Sequence, residues 1–195
     1  LLDSGHSLAP HLDLIVRVAI EKVGVNKDLS INTRESAIDF LETLADTNPK
    51  ILGNSPDSLR YLLQHIFSIA GESDYNSEDE SACDMGFRLL DTLAIALPNK
   101  KIYPMVMEFV SQLVGNQNPA YRRVGVLTYG IIAEGCADYL KQNLKEIVNT
   151  LVAALNDENQ VKEAAGLSLG YCAEHLKPDI LEFHEQIIPP LTGVL

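Results

Sequence analysis

Small and apolar residues recur along the chain at the spacing of one helix face, and the pattern returns four times. In each copy a small residue is followed by apolar residues four and seven positions later and by Ala at the eighth. These spacings place the side chains on one face of an α-helix. The copies are the runs RESAIDFLETLAD (34–46), CDMGFRLLDTLAI (83–95), RRVGVLTYGIIAE (122–134) and KEAAGLSLGYCAE (162–174).

The small positions of these helices, Ala37, Gly86, Gly125 and Ala165, are 49, 39 and 40 residues apart. A second set of apolar helical runs alternates with the first, and Asn-Pro and Lys-Pro pairs mark several of the boundaries. Helix pairs that repeat at about 40 residues are typical of HEAT and armadillo proteins. Because little room remains for the third helix of an armadillo unit, the sequence predicts an all-α HEAT-repeat solenoid, a superhelical array of antiparallel helix pairs.

The predicted repeats form a single segment over 1–195. They cover about 8–47, 49–97, 98–136 and 138–176, and a further repeat starts within 178–195. Both ends of the chain are apolar, at Leu1 and Leu195, where a capping repeat would be polar. We therefore expect the chain to be a fragment of a longer array.

An acidic insertion, GESDYNSEDES at 71–81, explains the longer first spacing and falls between the two helices of the second repeat. It lacks the ligand spacing of a calcium-binding loop. Two interpretations remain open: a tolerated surface loop, or an acidic element that contacts a basic partner. The acidic residues concerned are Glu72, Asp74, Glu78, Asp79 and Glu80.

Charge and composition narrow the function classes. The net charge of −12 comes from 27 acidic against 15 basic residues, which disfavours direct binding to nucleic acid or anionic membranes and favours basic partners. Three widely spaced Cys indicate reduced, buried thiols. We find no catalytic arrangement, cofactor motif or metal-ligand set, and Cys172 with His175 is better explained by packing than by zinc. The sequence predicts a protein that is not an enzyme.

The third repeat carries a recognisable motif. The run NPAYRRVGVLTYGIIAEGC (118–136) contains an aromatic-Arg pair at Tyr121 and Arg122, a small-residue helix around Gly125, and an ending at Glu134 and Gly135. Preceded by an acidic loop and the helix RLLDTLAIALP, this order resembles the middle of importin-beta (karyopherin-beta) receptors, in particular the importin-four and importin-five branch.

The resemblance implies a nuclear import receptor that binds basic cargo such as ribosomal proteins and histones. It also implies regulation by Ran-GTP, contact with phenylalanine-glycine nucleoporins, and shuttling between cytoplasm and nucleus. Val106, Phe109 or Val110 could contribute to a nucleoporin pocket, and Arg122, Arg123 and Lys162 are expected to pair with acids of neighbouring repeats. The alternative function is a HEAT-repeat scaffold subunit for complex assembly, similar to a phosphatase scaffold.

In that family the second helix of each pair lines a concave face. Acidic residues recur at equivalent positions of these helices beside the buried stripe, as a surface for Lys/Arg-rich segments requires. The structural alternative is a solvated helix face. The predicted cargo-binding residues are Glu42, Asp46, Asp91, Glu134 and Glu174, and the acidic insertion is predicted to contact Ran or cargo.

Overall fold

A computed structural model describes residues 9–72 and 81–194, and within these ranges the regular structure is entirely helical. The chain divides into two compact units, Leu1–Met105 and Val106–Leu195. No helix among the described residues has the length and apolar character needed to cross a lipid bilayer. The two units are described in turn.

The first unit begins with a 3₁₀ turn, Ala9–His11, and a helix whose second half is π-helical. Four further α-helices follow. The elements are α1 (Leu12–Arg17) with its π-helical continuation (Val18–Gly24), α2 (Ile31–Thr47), α3 (Pro49–Gly53), α4 (Pro56–Ala70) and α5 (Ala82–Ala96).

Helix α6 (Asn99–Leu113) starts in the first unit and ends in the second. The remaining elements lie in the second unit. They are α7 (Pro119–Ile131), α8 (Ala137–Gln142), α9 (Leu144–Ala154), α10 (Asn159–His175), a 3₁₀ turn (Asp179–Phe183) and α11 (His184–Val194).

Helices pack in the order that a stacked repeat requires. In the first unit α2 packs against the π-helical segment of its own repeat and against α5, and α5 packs against α4. In the second unit α10 packs against α7 and α9. The second helices of neighbouring repeats, α2 with α5 and α7 with α10, therefore lie side by side. Each first helix covers the apolar face of its partner.

Local capping fixes where the second helices begin. Ser30 accepts a hydrogen bond from the Thr33 N–H at the start of α2, and Asn118 accepts one from Ala120 at the start of α7. At the start of α5, Ser81 accepts from the Asp84 N–H while the Asp84 carboxylate accepts from the Ser81 N–H, a complete capping box. The polar residues between the apolar runs thus set the helix register.

The predicted small positions lie where helices approach most closely. A Cβ atom added to Gly86 of α5 would lie 2.9 Å from the backbone nitrogen of Ala70 in α4. A Cβ added to Gly125 of α7 would lie 2.8 Å from the backbone nitrogen of Val114, just after α6. The prediction that these positions permit close packing is confirmed, because any side chain there would force the helices apart.

The recurring Ala column shows one exception to the predicted burial. Ala45, Ala94 and Ala133 are fully buried. Ala173, at the equivalent position of α10, is exposed. The expectation of a buried side chain is wrong at this one position.

Candidate functional site

The exposed face of α2 carries a continuous row of carboxylates. Glu35, Asp39, Glu42 and Asp46 are spaced by four, three and four residues, so they share one face of the helix. Asp39 and Asp46 are exposed, and Glu35 and Glu42 are half-buried. Two of the four, Glu42 and Asp46, belong to the predicted site; the other two were not selected from the sequence. We call these four residues the α2 acidic row.

A single cation from α5 contacts most of this row. Arg88 Nη2 lies 2.7 Å from Asp39 Oδ1, its Nε lies 2.9 Å from Glu42 Oε1, and its Nη1 lies 3.7 Å from Glu35 Oε1. Asp46, one turn further along, contacts no cation among the described residues. The α2 acidic row therefore keeps a net negative charge, because the single charge of Arg88 offsets only one of the carboxylates that it contacts.

Partial burial acts on one member of the row. Desolvation raises the pKa of Glu42, and the opposing attraction of Arg88 does not fully offset it. The carboxylates of Asp39 and Asp46 raise the pKa of Glu42 further. A cation that approaches this face would favour the ionised form of Glu42.

The neighbouring helix adds one predicted acid to the same side. Asp91 follows Arg88 by three residues on α5 and is half-buried. Ile95 lies one turn beyond Asp91, with 52% of its surface exposed. In the first unit Glu42 is thus bound by Arg88, and Asp46 and Asp91 lie on the neighbouring helices α2 and α5.

The second unit presents a different face. Glu174, in the last turn of α10, and Glu134, in the turn after α7, are both exposed, and neither pairs with a cation among the described residues. Both predicted acids are therefore accessible to a partner.

On α10 the row of positions equivalent to the α2 acidic row reads Glu163, Leu167, Gly170 and Glu174. Leu167 is 56% exposed, so an apolar patch separates two acidic ends. Gly130 of α7 lies beside it, where an added Cβ would lie 2.7 Å from Ser168 Cα, so this helix pair is also closely packed.

The structure corrects the prediction for Glu72, which was assigned to an acidic contact loop. Its carboxylate is buried and accepts two hydrogen bonds from Arg34, from Nη1 at 3.1 Å and from Nη2 at 2.7 Å. Arg34 Nε also donates to the carbonyl oxygen of Gly24 at 2.7 Å. Because a buried carboxylate needs a close cation, Glu72 is an internal structural residue and is not accessible to a partner. The other predicted loop acids, Asp74, Glu78, Asp79 and Glu80, lie outside the described residues.

A second arginine makes an equivalent connection in the other unit. Arg122 binds Asp157 through Nε at 2.8 Å and Nη2 at 2.6 Å, and its Nη1 donates to the carbonyl oxygens of Asn116 and Gln117. Hydrogen bonding to Arg122 lowers the pKa of Asp157 despite some desolvation. The predicted structural pairing of Arg122 with an acid of the next repeat is confirmed.

Arg34 and Arg122 occupy the same position of the repeat, the first residue of the aligned runs. Each joins the end of its own first helix to an acid that follows the first helix of the next repeat. We call the pairs Arg34–Glu72 and Arg122–Asp157 the inter-repeat braces. Glu72 was not predicted to be a brace residue. Because Arg34 and Arg122 occupy equivalent repeat positions, the sequence could have indicated that each pairs with an acid of the next repeat.

An open cavity of about 450 Å³ lies in the second unit between the end of α6 and helices α7, α9 and α10. Val114, Val126, Ala153 and Val161 contribute apolar walls, and the Arg122–Asp157 brace also lines it. Val106 and Val110, considered for a nucleoporin pocket, are fully buried core residues instead.

The cysteines have no ligand role in the part of the chain that the structure describes. All three are free and buried, and burial raises the pKa of Cys136 and of Cys172 to about 12. Within 9–72 and 81–194 no group of three or more His, Cys, Asp or Glu side chains could hold a metal ion.

Comparison with curated proteins identifies relatives. The chain is 30% identical to importin-4 of Mus musculus over 110 residues, which is 55% of this chain and 10% of the mouse protein. It is 27% identical over 133 residues to the probable importin subunit beta-4 of Schizosaccharomyces pombe, which is 66% of this chain and 12% of that relative. No protein-family model matches.

Over about 55% of its length, the chain is similar to importins. The chain spans about a tenth of the length of the curated relatives it matches. The relatives are named importins, which are transport receptors and not enzymes. Their names, importin-4 and importin subunit beta-4, match the importin-four branch that the sequence motif resembles.

Comparison with solved structures confirms the predicted fold of the chain. Kap121p bound to Nup53p aligns with a TM-score of 0.86 over 95% of this chain and 20% of Kap121p, at 20% sequence identity. Kap121p bound to RanGTP aligns with a TM-score of 0.84 and 19% identity. These karyopherins are HEAT-repeat solenoids, so the predicted all-α HEAT-repeat fold is confirmed.

Proposed function

We propose that this chain is the cargo-binding segment of a nuclear import receptor that recognises Lys/Arg-rich segments of basic proteins. The observation that carries the proposal is the recurrence of exposed acids on or just after the second helices. They are Asp39 and Asp46 of the α2 acidic row in one unit, and Glu134, Glu163 and Glu174 in the other. Within either unit, a basic segment that binds along this face of the second helix meets several carboxylates. Ribosomal proteins and histones have the required charge.

Electrostatics supports binding to a basic protein over binding to nucleic acid. The net charge of −12 gives an attractive long-range field for a cationic partner. Exposed carboxylates contribute modestly as single pairs, and several of them together provide affinity that falls as salt rises. The proposed interaction is therefore steeply salt-dependent.

Regulation by Ran-GTP is the second part of the proposal. The support is that Kap121p, which shares this fold, has been solved with RanGTP bound. If Ran-GTP and cargo favour different arrangements of the receptor or overlapping surfaces, binding of one weakens the other by the same factor. The receptor would then load cargo in the cytoplasm and release it in the nucleus.

Contact with phenylalanine-glycine nucleoporins completes the proposed transport cycle. The 450 Å³ cavity of the second unit is open to solvent, and its accessible apolar lining is the half-buried Val114 and the exposed Ala153, with Val126 and Val161 buried behind them. A phenylalanine ring fits a site of this size and chemistry better than a charged group does. This cavity replaces Val106 and Val110 as our candidate nucleoporin contact.

The decisive experiment measures the affinity of the chain for a fluorescent Lys/Arg-rich histone-tail peptide at two salt concentrations. The double variant Glu134→Gln, Glu174→Gln removes two exposed acids and is expected to weaken binding about threefold to tenfold at low salt. The matched control, Asp57→Asn with Glu146→Gln, removes the same charge from exposed positions on the first helices and should change the affinity far less.

Ran loaded with GTP or with GDP is then added to the full-length receptor that carries this segment, with the peptide bound. Release by Ran-GTP alone supports the import function. Equal weakening by the test and control variants would show that only net charge matters and would contradict a binding surface at Glu134 and Glu174. No peptide binding and no Ran binding would favour the assembly-scaffold alternative.

A further inference from the structure

Arg88 occupies the position where the proposed function places a basic side chain of the partner. It is carried by α5, yet its guanidinium contacts three successive members of the α2 acidic row, Glu35, Asp39 and Glu42. Two of these contacts are short, at 2.7 and 2.9 Å, and have the geometry of charge-assisted hydrogen bonds. The row is therefore already occupied by a cation from the chain itself.

We propose that Arg88 is an internal competitor, which a basic side chain of the partner must displace in order to bind the α2 acidic row. This inference rests on the proposed cargo-binding function and adds a regulatory residue to that site. It predicts that the first unit binds basic segments more weakly than its number of acids suggests.

Displacement is feasible because Arg88 is not part of the core. Its side chain is 36% exposed, so solvent and a partner reach the guanidinium directly. By contrast, the Arg34 side chain in the inter-repeat brace is only 6% exposed and cannot be exchanged without unfolding the surrounding helices. Exchange of Arg88 for another cation leaves each carboxylate with a positive partner, so no buried charge is left unpaired.

A competitor and a positioning residue predict opposite results when Arg88 is removed. If Arg88 competes, its loss frees Asp39 and Glu42 and strengthens the local negative potential, so a basic peptide binds more tightly. If Arg88 instead holds the carboxylates in a geometry that the partner needs, its loss weakens binding. The sign of the change therefore separates the two roles.

The test compares Arg88→Gln with Arg17→Gln in the 195-residue chain, using the Lys/Arg-rich histone-tail peptide at low and moderate salt. Arg17→Gln is a matched control because it also removes one positive charge. That charge belongs to a half-exposed ion pair with Asp13 on α1, outside the α2 acidic row. We expect Arg88→Gln to lower the Kd about threefold to tenfold and Arg17→Gln to change it by less than about twofold.

A second readout distinguishes competition from a general charge effect. In the wild-type background, Asp39→Asn weakens the contact of the row with Arg88 as well as its contact with the peptide, so the peptide affinity should change little. In the Arg88→Gln background, where Arg88 no longer competes, the same substitution should weaken peptide binding clearly. Circular dichroism checks that each variant folds, and Arg88→Lys, which keeps the charge but loses the fork of donors, should fall between wild type and Arg88→Gln.

Equal affinities for Arg88→Gln and Arg17→Gln, or weaker binding by Arg88→Gln, would overturn the competitor role. If the Glu134→Gln, Glu174→Gln variant weakens binding as expected while Arg88→Gln has no effect, only the competitor role fails. If neither that variant nor any variant of the α2 acidic row alters binding, the proposed function fails and the competitor role fails with it.

Discussion

At the scale of single residues, the surroundings of a charge decide its role more than its type does. Glu72 and Glu174 were predicted to serve similar functions. Glu72 is buried against Arg34, whereas Glu174 is exposed and pairs with no cation among the described residues. A buried carboxylate that loses its partner is strongly destabilising, and an exposed one is nearly neutral. The sequence shows the acid in both cases, but only packing shows which one is accessible.

The Arg34–Glu72 brace should be essential for stability. Arg34→Met leaves the buried Glu72 carboxylate without its bidentate partner, and we expect the free energy of unfolding to fall by roughly 3–5 kcal/mol in urea titrations. The double variant Arg34→Met, Glu72→Leu removes both charges and should recover much of that loss. Arg17→Met, in an exposed pair, is the control and should have only a small effect. A small effect of Arg34→Met would show that the brace is dispensable.

At the scale of helices, the small-residue pattern was the most informative part of the sequence. It located α2, α5, α7 and α10 and anticipated close contacts at Gly86 and Gly125. It did not predict the short helices α3 and α8 or the π-helical turn at Val18–Gly24. These elements have too few residues for a periodic signal, and the π-helical turn depends on packing against α2 and α4.

Two glycines in helix interiors should respond to Ala in opposite ways. Gly86→Ala places a Cβ against the Ala70 backbone and should destabilise the chain by about 1–3 kcal/mol, because α4 and α5 must separate. Gly166→Ala in α10 meets no described atom within 4 Å outside its own helix and should stabilise the chain by about 0.5–1 kcal/mol. Thermal unfolding of both variants measures the difference. A stabilising Gly86→Ala would contradict the close helix contact.

At the scale of the whole molecule, the fold class and the similarity to importins could be predicted from the sequence, and the proposed binding surface only in part. The repeat spacing and the Tyr121-Arg122 motif sufficed for the first two. The surface could not be completed because Arg88, which neutralises part of the α2 acidic row, lies on a different helix from the acids it contacts. Such a contact between side chains 49 residues apart has no local signature in the sequence.

The cysteines give a probe of each compact unit. Cys83 lies in the first unit, and Cys136 and Cys172 lie in the second, all of them buried. At pH 8 the thiols of Cys136 and Cys172, with pKa about 12, remain protonated until the surrounding helices open. We expect alkylation of native protein to be about a thousandfold slower than in urea, as measured by mass spectrometry of each cysteine peptide. Rapid labelling of the native chain would contradict this packing.

The inter-repeat braces have a consequence for cooperativity. In a linear array each repeat touches only its neighbours, so stability is a sum of intrinsic terms and nearest-neighbour couplings. Each brace strengthens one such coupling, because Arg34 and Arg122 each connect their own repeat to the one that follows. A repeat joined in this way cannot fray without breaking a charged pair. The braces therefore set how many repeats melt together in one step.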